Sequence, residues 1–194
     1  MSVTMLDLNG DQATYNPEPP PPLPRIWIGF VLAFACLVTE IFAVAGGAVE
    51  GTQGAESFAV LSVLVTIICW IYWLFCVHRF HRILNQIAPY VGGQSTYPIT
   101  PGRAVGRHFI PFFNLFWVFK WPLEISRFVR ENSPVSMMSG GVLGLFLLLG
   151  LLLARLEGFL GFCCLFSVGL YISTKLRRLV AEHERVRMAA ETFT

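Results

Sequence analysis

Very few residues of this sequence combine a chemically useful side chain with a suggestive position. Glu40 lies inside a long apolar stretch, and an acid at membrane depth is a functional candidate because an isolated charge in hydrocarbon is costly. Asn114 lies among aromatic residues and needs hydrogen-bond partners if it is buried. Both residues could line a polar path for a solute. Both could instead make structural contacts, and for Asn114 we favour a bond to a neighbouring backbone group.

Histidine and arginine side chains form a second group of candidates. His78 and His81 are three residues apart and share one face of a helix, a spacing that suits a metal ion or haem. No third ligand follows nearby, so contact with lipid headgroups is the favoured interpretation. His108 lies beside Arg107 and near Arg103, which also favours lipid phosphate over catalysis. The residues predicted to contact headgroups are His78, Arg79, Arg82, Arg103, Arg107 and His108.

Familiar patterns of catalytic or cofactor chemistry are missing from the sequence. It has no Ser-His-Asp, Cys-His, paired-carboxylate or phosphate-loop pattern. The cysteines fall inside predicted spans at no metal-ligand spacing, where buried thiols are the expected role; they are Cys36, Cys69, Cys76, Cys163 and Cys164. We therefore predict no enzymatic activity, no cofactor and no bound metal.

The elements that position these side chains are predicted to be membrane helices. Mean hydropathy is +0.61, 55% of the residues are hydrophobic and 13% are charged, whereas soluble chains carry about 25% charged residues. The low charge and the long uncharged runs predict an all-α integral membrane protein with one membrane domain. The net charge of +2 gives no reason to expect a nucleic-acid partner.

Apolar runs, glycines and prolines divide the chain into three parts. Residues 1–24 are predicted to be a disordered, proline-rich tail, residues 25–174 a four-span membrane domain, and residues 175–194 a cytoplasmic helical tail. The helix of the second span is expected to continue to about Ile87. Glycines recur in the third and fourth spans and predict a closely packed antiparallel hairpin. The spans are predicted at about residues 26–47, 57–77, 137–154 and 159–174.

The segment at residues 103–131 is the unusual part of the chain. Residues 109–119 are aromatic and apolar, but as a helix they rise only about 16 Å, roughly half of a hydrocarbon core of about 30 Å. This interfacial or re-entrant segment is expected to lie in the membrane interface, or to dip in and return. Pro122 suits the first position of a new amphipathic helix that lies in the membrane plane. The candidate interaction residues are Phe109, Pro111, Phe112, Asn114, Phe116, Trp117 and Trp121, together with Glu40 and Arg155.

The basic residues predict the orientation of the spans. The loop at 48–57 has no Lys or Arg, the region 78–130 has seven, and the tail after residue 174 has five. Because basic loops stay in the cytoplasm, we predict four spans with both termini cytoplasmic and a central segment that does not cross. This topology brings Glu40 and Arg155 near the outer surface. We predict that the two pair, with Glu157 as the competitor for Arg155.

Two blocks of residues carry a resemblance to a known family. They are Trp73-x-x-x-x-His78-Arg79 and the stretch from Thr100-Pro101-Gly102-Arg103-Ala104-Val105-Gly106 to Phe109-Ile110-Pro111-Phe112-Phe113-Asn114-Leu115-Phe116-Trp117. Over about residues 60–175 the chain resembles an uncharacterised bacterial multipass family that carries such a block between two pairs of spans. Phe80 departs from the pattern, because many members have asparagine there. The resemblance implies the bacterial inner membrane, and it implies no activity because the family is a domain of unknown function.

Three functions fit these patterns, and we rank them by the polar residues that each would need. A pore needs polar residues along several spans, but the second span offers only Ser62 and Thr66. We therefore favour a non-catalytic accessory or interaction subunit of a bacterial membrane protein complex, with membrane lipids and other membrane subunits as its partners. The alternative is a small transporter or channel that uses Glu40 and Asn114. A weaker alternative is an enzyme acting on lipid headgroups.

The topology gives a first testable prediction. In a variant without the native cysteines, Gln53→Cys and Leu156→Cys are expected to react with a membrane-impermeant maleimide added to intact cells. Gln94→Cys and Ser133→Cys are expected to react only after permeabilisation, because basic flanks hold that side in the cytoplasm. Residues 94 and 133 found on opposite sides would show that the central segment crosses.

Overall fold

The computed structural model describes residues 22–47, 53–90, 97–110 and 112–192, and every regular element in these ranges is helical. Residues 1–21, which hold most of the predicted tail, and the candidate Pro111 lie outside the described residues. The helices are α1 Trp27–Gly47, α2 Gln53–Ile87, α3 Pro101–Gly106, α4 Phe113–Asn132, α5 Gly140–Leu156 and α6 Gly158–Thr192, with 3-10 turns at Ala88–Tyr90 and Arg107–Phe109.

Three helices in the described part of the chain are long and apolar enough to cross a membrane. Their apolar stretches are Trp27–Ala45, Glu56–Ile87 and Gly158–Arg185. The helix α5 is apolar but has 17 residues, about 26 Å of rise, which is slightly less than a hydrocarbon core of about 30 Å. The protein is therefore a helical membrane protein.

Glycines set how closely α5 and α6 approach. A Cβ added at Gly161 would lie 2.1 Å from the Ala154 backbone nitrogen, and one at Gly150 would lie 3.0 Å from Leu165. Residues 154 and 150 thus meet residues 161 and 165, which makes the two helices antiparallel as predicted from the glycine pattern. Close backbone approach lets the helices bury each other without large side chains.

The helix α4 also packs against α5, which changes the role expected for some of the α5 glycines. Leu123 meets Gly140, Phe119 meets Gly144, and the Ser126 hydroxyl donates to the Met138 carbonyl at 2.9 Å. Gly140 and Gly144 of α5 therefore face α4 rather than α6. As residue numbers rise on α4 they fall on α5, so α4 runs antiparallel beside α5.

The proline expected to start a new helix lies inside α4. Pro122 is buried, and α4 continues through it to Asn132. A proline removes one backbone hydrogen bond from a helix, and membrane helices tolerate this where neighbouring helices support the backbone. Here the backbone at residues 122 and 123 lies against Gly140 of α5, which supplies that support.

The central segment leaves and returns at one end of the bundle. The Tyr97 ring, before α3, lies 5.4 Å from the Phe128 ring near the end of α4. The expectation of an amphipathic helix lying in the membrane plane does not fit α4, because α4 packs antiparallel along α5. Of the two arrangements considered, dipping in and returning agrees better with this packing.

Aromatic side chains fill the middle of the bundle. Trp73 of α2 is buried and packs against Phe166 of α6, with ring centroids 6.0 Å apart, and against Trp121 of α4 at 6.5 Å. Trp70 packs edge-on against Phe162 at 5.3 Å. These contacts join α2, α4 and α6 at one level, so large rings rather than polar groups occupy the centre.

The end of the predicted disordered tail is held against the bundle. Leu23 packs on the core, and the Tyr72 hydroxyl donates to the Arg25 carbonyl at 2.7 Å. Leu23, near the end of the predicted tail, is apolar and covers part of the bundle surface, and disorder of the tail as a whole stays a prediction. Cys36 and Cys69 are buried between α1 and α2 with their Sγ atoms 3.5 Å apart, in agreement with the thiol role predicted for them.

The packing of α4 on α5 gives a prediction with a neighbouring control. Gly140→Ala is expected to lower the free energy of unfolding in detergent by about 1–3 kcal/mol, the usual cost of overpacking. The reason is that the new Cβ would lie 2.1 Å from the Leu123 Cα. Gly141→Ala meets nothing within 4 Å and is the matched control. Equal stability of the two variants would contradict the α4–α5 interface.

Candidate interaction site

The site is built on a tight reversal of the chain between α3 and α4. Thr100 caps α3, where its hydroxyl accepts the Arg103 backbone N–H at 3.4 Å, and Pro101 occupies the first turn. Phe112 precedes α4 with a φ of 60°. A bulky residue with positive φ is uncommon and costs about 1–3 kcal/mol. Phe112 is also 90% exposed, so the strain holds a large ring away from the protein.

Exposed apolar side chains surround this reversal and form what we call the aromatic tip. Its members are Phe109, Ile110, Phe112, Leu115 and Phe116. Exposed apolar patches of this kind mark contact with membrane or protein. Lipid-facing residues on the long helices are also exposed. The tip differs from them because it lies on a turn and borders on cations.

Two cations lie over aromatic rings beside the tip. The Arg107 guanidinium is 4.6 Å from the Trp117 ring centroid, and the Lys120 ammonium is 5.7 Å from that of Phe116. Such geometry is favourable because the ring face is electron-rich. In the part of the chain that the structure describes, the ion pairs are Arg127–Glu124 and Arg185–Glu182, so Arg107 and Lys120 keep their charge available.

The two tryptophans predicted to join the tip face the core instead. Trp117 and Trp121 are almost completely buried. The Trp117 Nε1–H donates to the Ala104 carbonyl at 3.0 Å, which ties α4 to α3. A sequence signal for this was present, because Trp117, Trp121 and Ile125 recur every four residues and so share one helix face. These tryptophans anchor the tip and are not part of its surface.

A buried hydrogen bond fixes the start of the central segment. The Tyr97 hydroxyl lies 2.7 Å from His81 Nδ1, and both side chains are buried. Asn85 Nδ2 donates to the Ile99 carbonyl at 2.7 Å in the same region. Burial, and next the Glu124 carboxylate, raises the pKa of Tyr97 well above its ordinary value, so the phenol stays neutral. The sequence interpretation missed Tyr97 and Asn85, which no local pattern singles out.

The histidines consequently do not act as the sequence suggested. His81 is buried whereas His78 is half-buried, so the two do not form one headgroup or metal site. Among the described residues no group of three or more His, Cys, Asp or Glu side chains could hold a metal ion. Arg82 and Arg103 are exposed, and the Arg79 guanidinium lies 5.4 Å from the Phe75 ring centroid, positions that are compatible with headgroup contact.

His108 points inward, which does not fit the headgroup contact predicted for it. Its Nδ1 donates to the Ala104 carbonyl at 2.8 Å. With Trp73 and Trp121 it lines a cavity of about 10 Å³, a size that suits about one water molecule. The other lining residues are Val118, Leu147, Leu151 and Leu165. Burial lowers the pKa of His108 below its ordinary value of 6.5, and hydrogen bonding to backbone offsets only part of this.

Glu40 is not paired with Arg155, so that prediction is wrong. No ion pair joins them in the described ranges, and Arg155 is exposed. The Glu40 carboxylate instead accepts the backbone N–H of Gly158, at the start of α6. A helix N-terminus offers unsatisfied N–H groups and the positive end of the helix dipole. The carboxylate therefore finds its partner in the backbone.

Asn114 has a partly unsatisfied side chain. Its Oδ1 is buried without a hydrogen-bond partner among the described residues, so the structural bond favoured for this side chain is not made at that atom. Asn114 and Glu40 line neither of the two described cavities. The structure therefore does not bring these two candidates into one polar path.

The inward position of His108 gives a pH prediction. Because burial lowers the pKa of His108 in the folded protein, the unfolded chain binds more proton at this histidine than the folded protein does below about pH 6.5. The unfolded state then binds more protons, so stability falls as the pH drops below about 6.5. In detergent unfolding between pH 7.5 and 5, His108→Gln is expected to lose less stability on acidification than wild type, and His78→Gln is the control. Equal acid losses in His108→Gln and wild type would contradict the buried position.

Comparison of the chain with protein-family models, with curated proteins and with solved structures gives no match. The resemblance to an uncharacterised multipass family therefore stays a prediction. The function has to follow from the geometry of the aromatic tip, its anchor and its neighbouring charges.

Proposed function

We propose that the protein is a non-catalytic accessory or interaction subunit of a bacterial membrane protein complex. It would lie in the inner membrane with four spans and both termini in the cytoplasm. The observation that supports this most directly is the aromatic tip, an apolar surface on a turn that the described part of the chain leaves exposed.

The anchor beneath the tip supports a binding role. Trp117 and Trp121 are buried, and the His81–Tyr97 bond holds the start of the segment on α2. Binding surfaces that are held in place before contact lose less conformational entropy on association. The positive φ at Phe112 and this anchor hold the rings of the tip in an exposed position, which burial of those rings inside the protein would not require.

The fourth span is supported by the packing of α5. This helix lies along α6 through the Gly150 and Gly161 contacts, and α6 is long enough to cross a membrane. An apolar helix beside a spanning helix shares its environment, and small mismatches in length are accommodated by tilt or bilayer thinning. The distribution of basic residues then favours cytoplasmic termini.

One observation favours the alternative of a small transporter or channel. The buried Oδ1 of Asn114 has no partner among the described residues, as expected for a group that meets a polar solute. Against this, the Glu40 carboxylate already has a structural partner at the start of α6. The charge in the membrane is thus accounted for without transport.

The proposal is tested by purification of the tagged chain in mild detergent and quantification of co-purifying membrane proteins by mass spectrometry. We expect a stoichiometric partner whose recovery falls at least tenfold in Phe116→Ala, because a well-packed aromatic contact contributes about 2 kcal/mol or more. Phe34→Ala is the matched control, since Phe34 is 60% and Phe116 57% exposed. A monodisperse monomer, with solute flux in liposomes that disappears in Glu40→Gln, would support the transporter instead.

A further inference from the structure

An apolar groove runs between α5 and α6, away from the aromatic tip. Its volume is about 310 Å³. Apolar side chains make up most of its lining, with one hydroxyl from a serine, one from a tyrosine and one thiol. The lining residues are Met138, Leu143, Phe146, Cys164, Ser167, Val168 and Tyr171.

The depth of the groove restricts what can fill it. Leu143 and Phe146 belong to the apolar helix α5, and Cys164 and Val168 to the apolar part of α6 that is long enough to cross a membrane. Most of the polar groups here are used internally, since Ser167 donates to the Cys163 carbonyl at 2.7 Å and Cys164 to that of Phe146 at 3.3 Å. Because such a surface offers water few free hydrogen-bonding groups, we expect hydrocarbon to fill the groove.

Cations continue the groove-lining face of α6. Tyr171, Lys175 and Arg178 follow at steps of four and three residues, so they share a face. The Lys175 ammonium lies 5.4 Å from the Tyr171 ring centroid, at the end of the groove. Neither Lys175 nor Arg178 takes part in the ion pairs of the described residues. An apolar groove thus leads to two charges that have no carboxylate partner there.

We propose that this groove binds one anionic phospholipid. An acyl chain occupies the groove, and the phosphate lies between Lys175 and Arg178, one and two turns beyond Tyr171. Tyr171 suits the boundary because its ring is apolar and its hydroxyl polar; here the hydroxyl accepts the Met138 backbone N–H at 2.7 Å. The charge at the end of the groove selects an anionic headgroup over a neutral one. This inference does not depend on the proposed function of the tip.

The test is native mass spectrometry of the full chain in mild detergent, titrated with phosphatidylglycerol or phosphatidylcholine. Wild type is expected to hold one phosphatidylglycerol in preference to phosphatidylcholine. Lys175→Gln and Arg178→Gln should each weaken this binding about fivefold, since each basic residue near the surface contributes about 1 kcal/mol. Arg177→Gln is the matched control because Arg177 is exposed on another face of α6.

A second variant tests the groove itself. Ser167→Trp places an indole in the groove at an exposed position and should reduce phosphatidylglycerol binding at least tenfold. Glycerol phosphate, which has the headgroup charge and no acyl chain, should not compete; full competition would show a phosphate site only and overturn the lipid assignment. Equal weakening in Arg177→Gln, equal binding of the neutral lipid, or a dimer that dissociates in Ser167→Trp would also overturn it, the last in favour of a second copy of the chain.

Discussion

The packing of Trp121 against Trp73 and His81 is the contact on which the central segment depends. The Trp121 ring lies 6.5 Å from Trp73 and 5.7 Å from His81, and all three side chains are buried. Burying an aromatic side chain is worth several kcal/mol, more than any exposed charge pair in this molecule. Because Tyr97 bonds to the same histidine, the chain before α3 and the middle of α4 are both fastened to α2. The aromatic tip is held out from this base.

Several polar and charged side chains in the bundle find their partners in the backbone. Glu40 accepts from the first residue of α6, Trp117 donates to the Ala104 carbonyl, and Tyr72 donates to the Arg25 carbonyl. In a medium without water, an unpaired backbone N–H or carbonyl group at a helix end or turn is costly. These backbone groups therefore readily form hydrogen bonds with polar side chains. This explains how a membrane charge can be structural without an opposite charge beside it, and it weakens the case for transport.

Close approach at glycines joins α5 to α4 on one side and to α6 on the other. Gly140 and Gly144 of α5 make room for α4, Gly150 of α5 makes room for α6, and Gly161 of α6 makes room for α5. The helix α5 thus lies between α4 and α6, and part of its remaining surface lines the groove. In the same bundle, the aromatic tip therefore exposes rings, whereas the apolar groove between α5 and α6 ends in cations. The two surfaces suit different partners.

The sequence by itself determined the class of protein, the end of α2 at Ile87 and the antiparallel pairing of α5 with α6, because long uncharged runs and glycine spacing act locally. Only the tertiary structure decided that Trp121 is buried while Phe116 is exposed, that Glu40 meets a helix end, and that α4 continues through Pro122. The physical reason is that aromatic residues occur on more than one face of the segment, so the spacing that groups Trp117 with Trp121 does not by itself say which face is buried. Which of them is buried depends on α2, α5 and α6, far away in sequence, and a local pattern does not contain those surfaces.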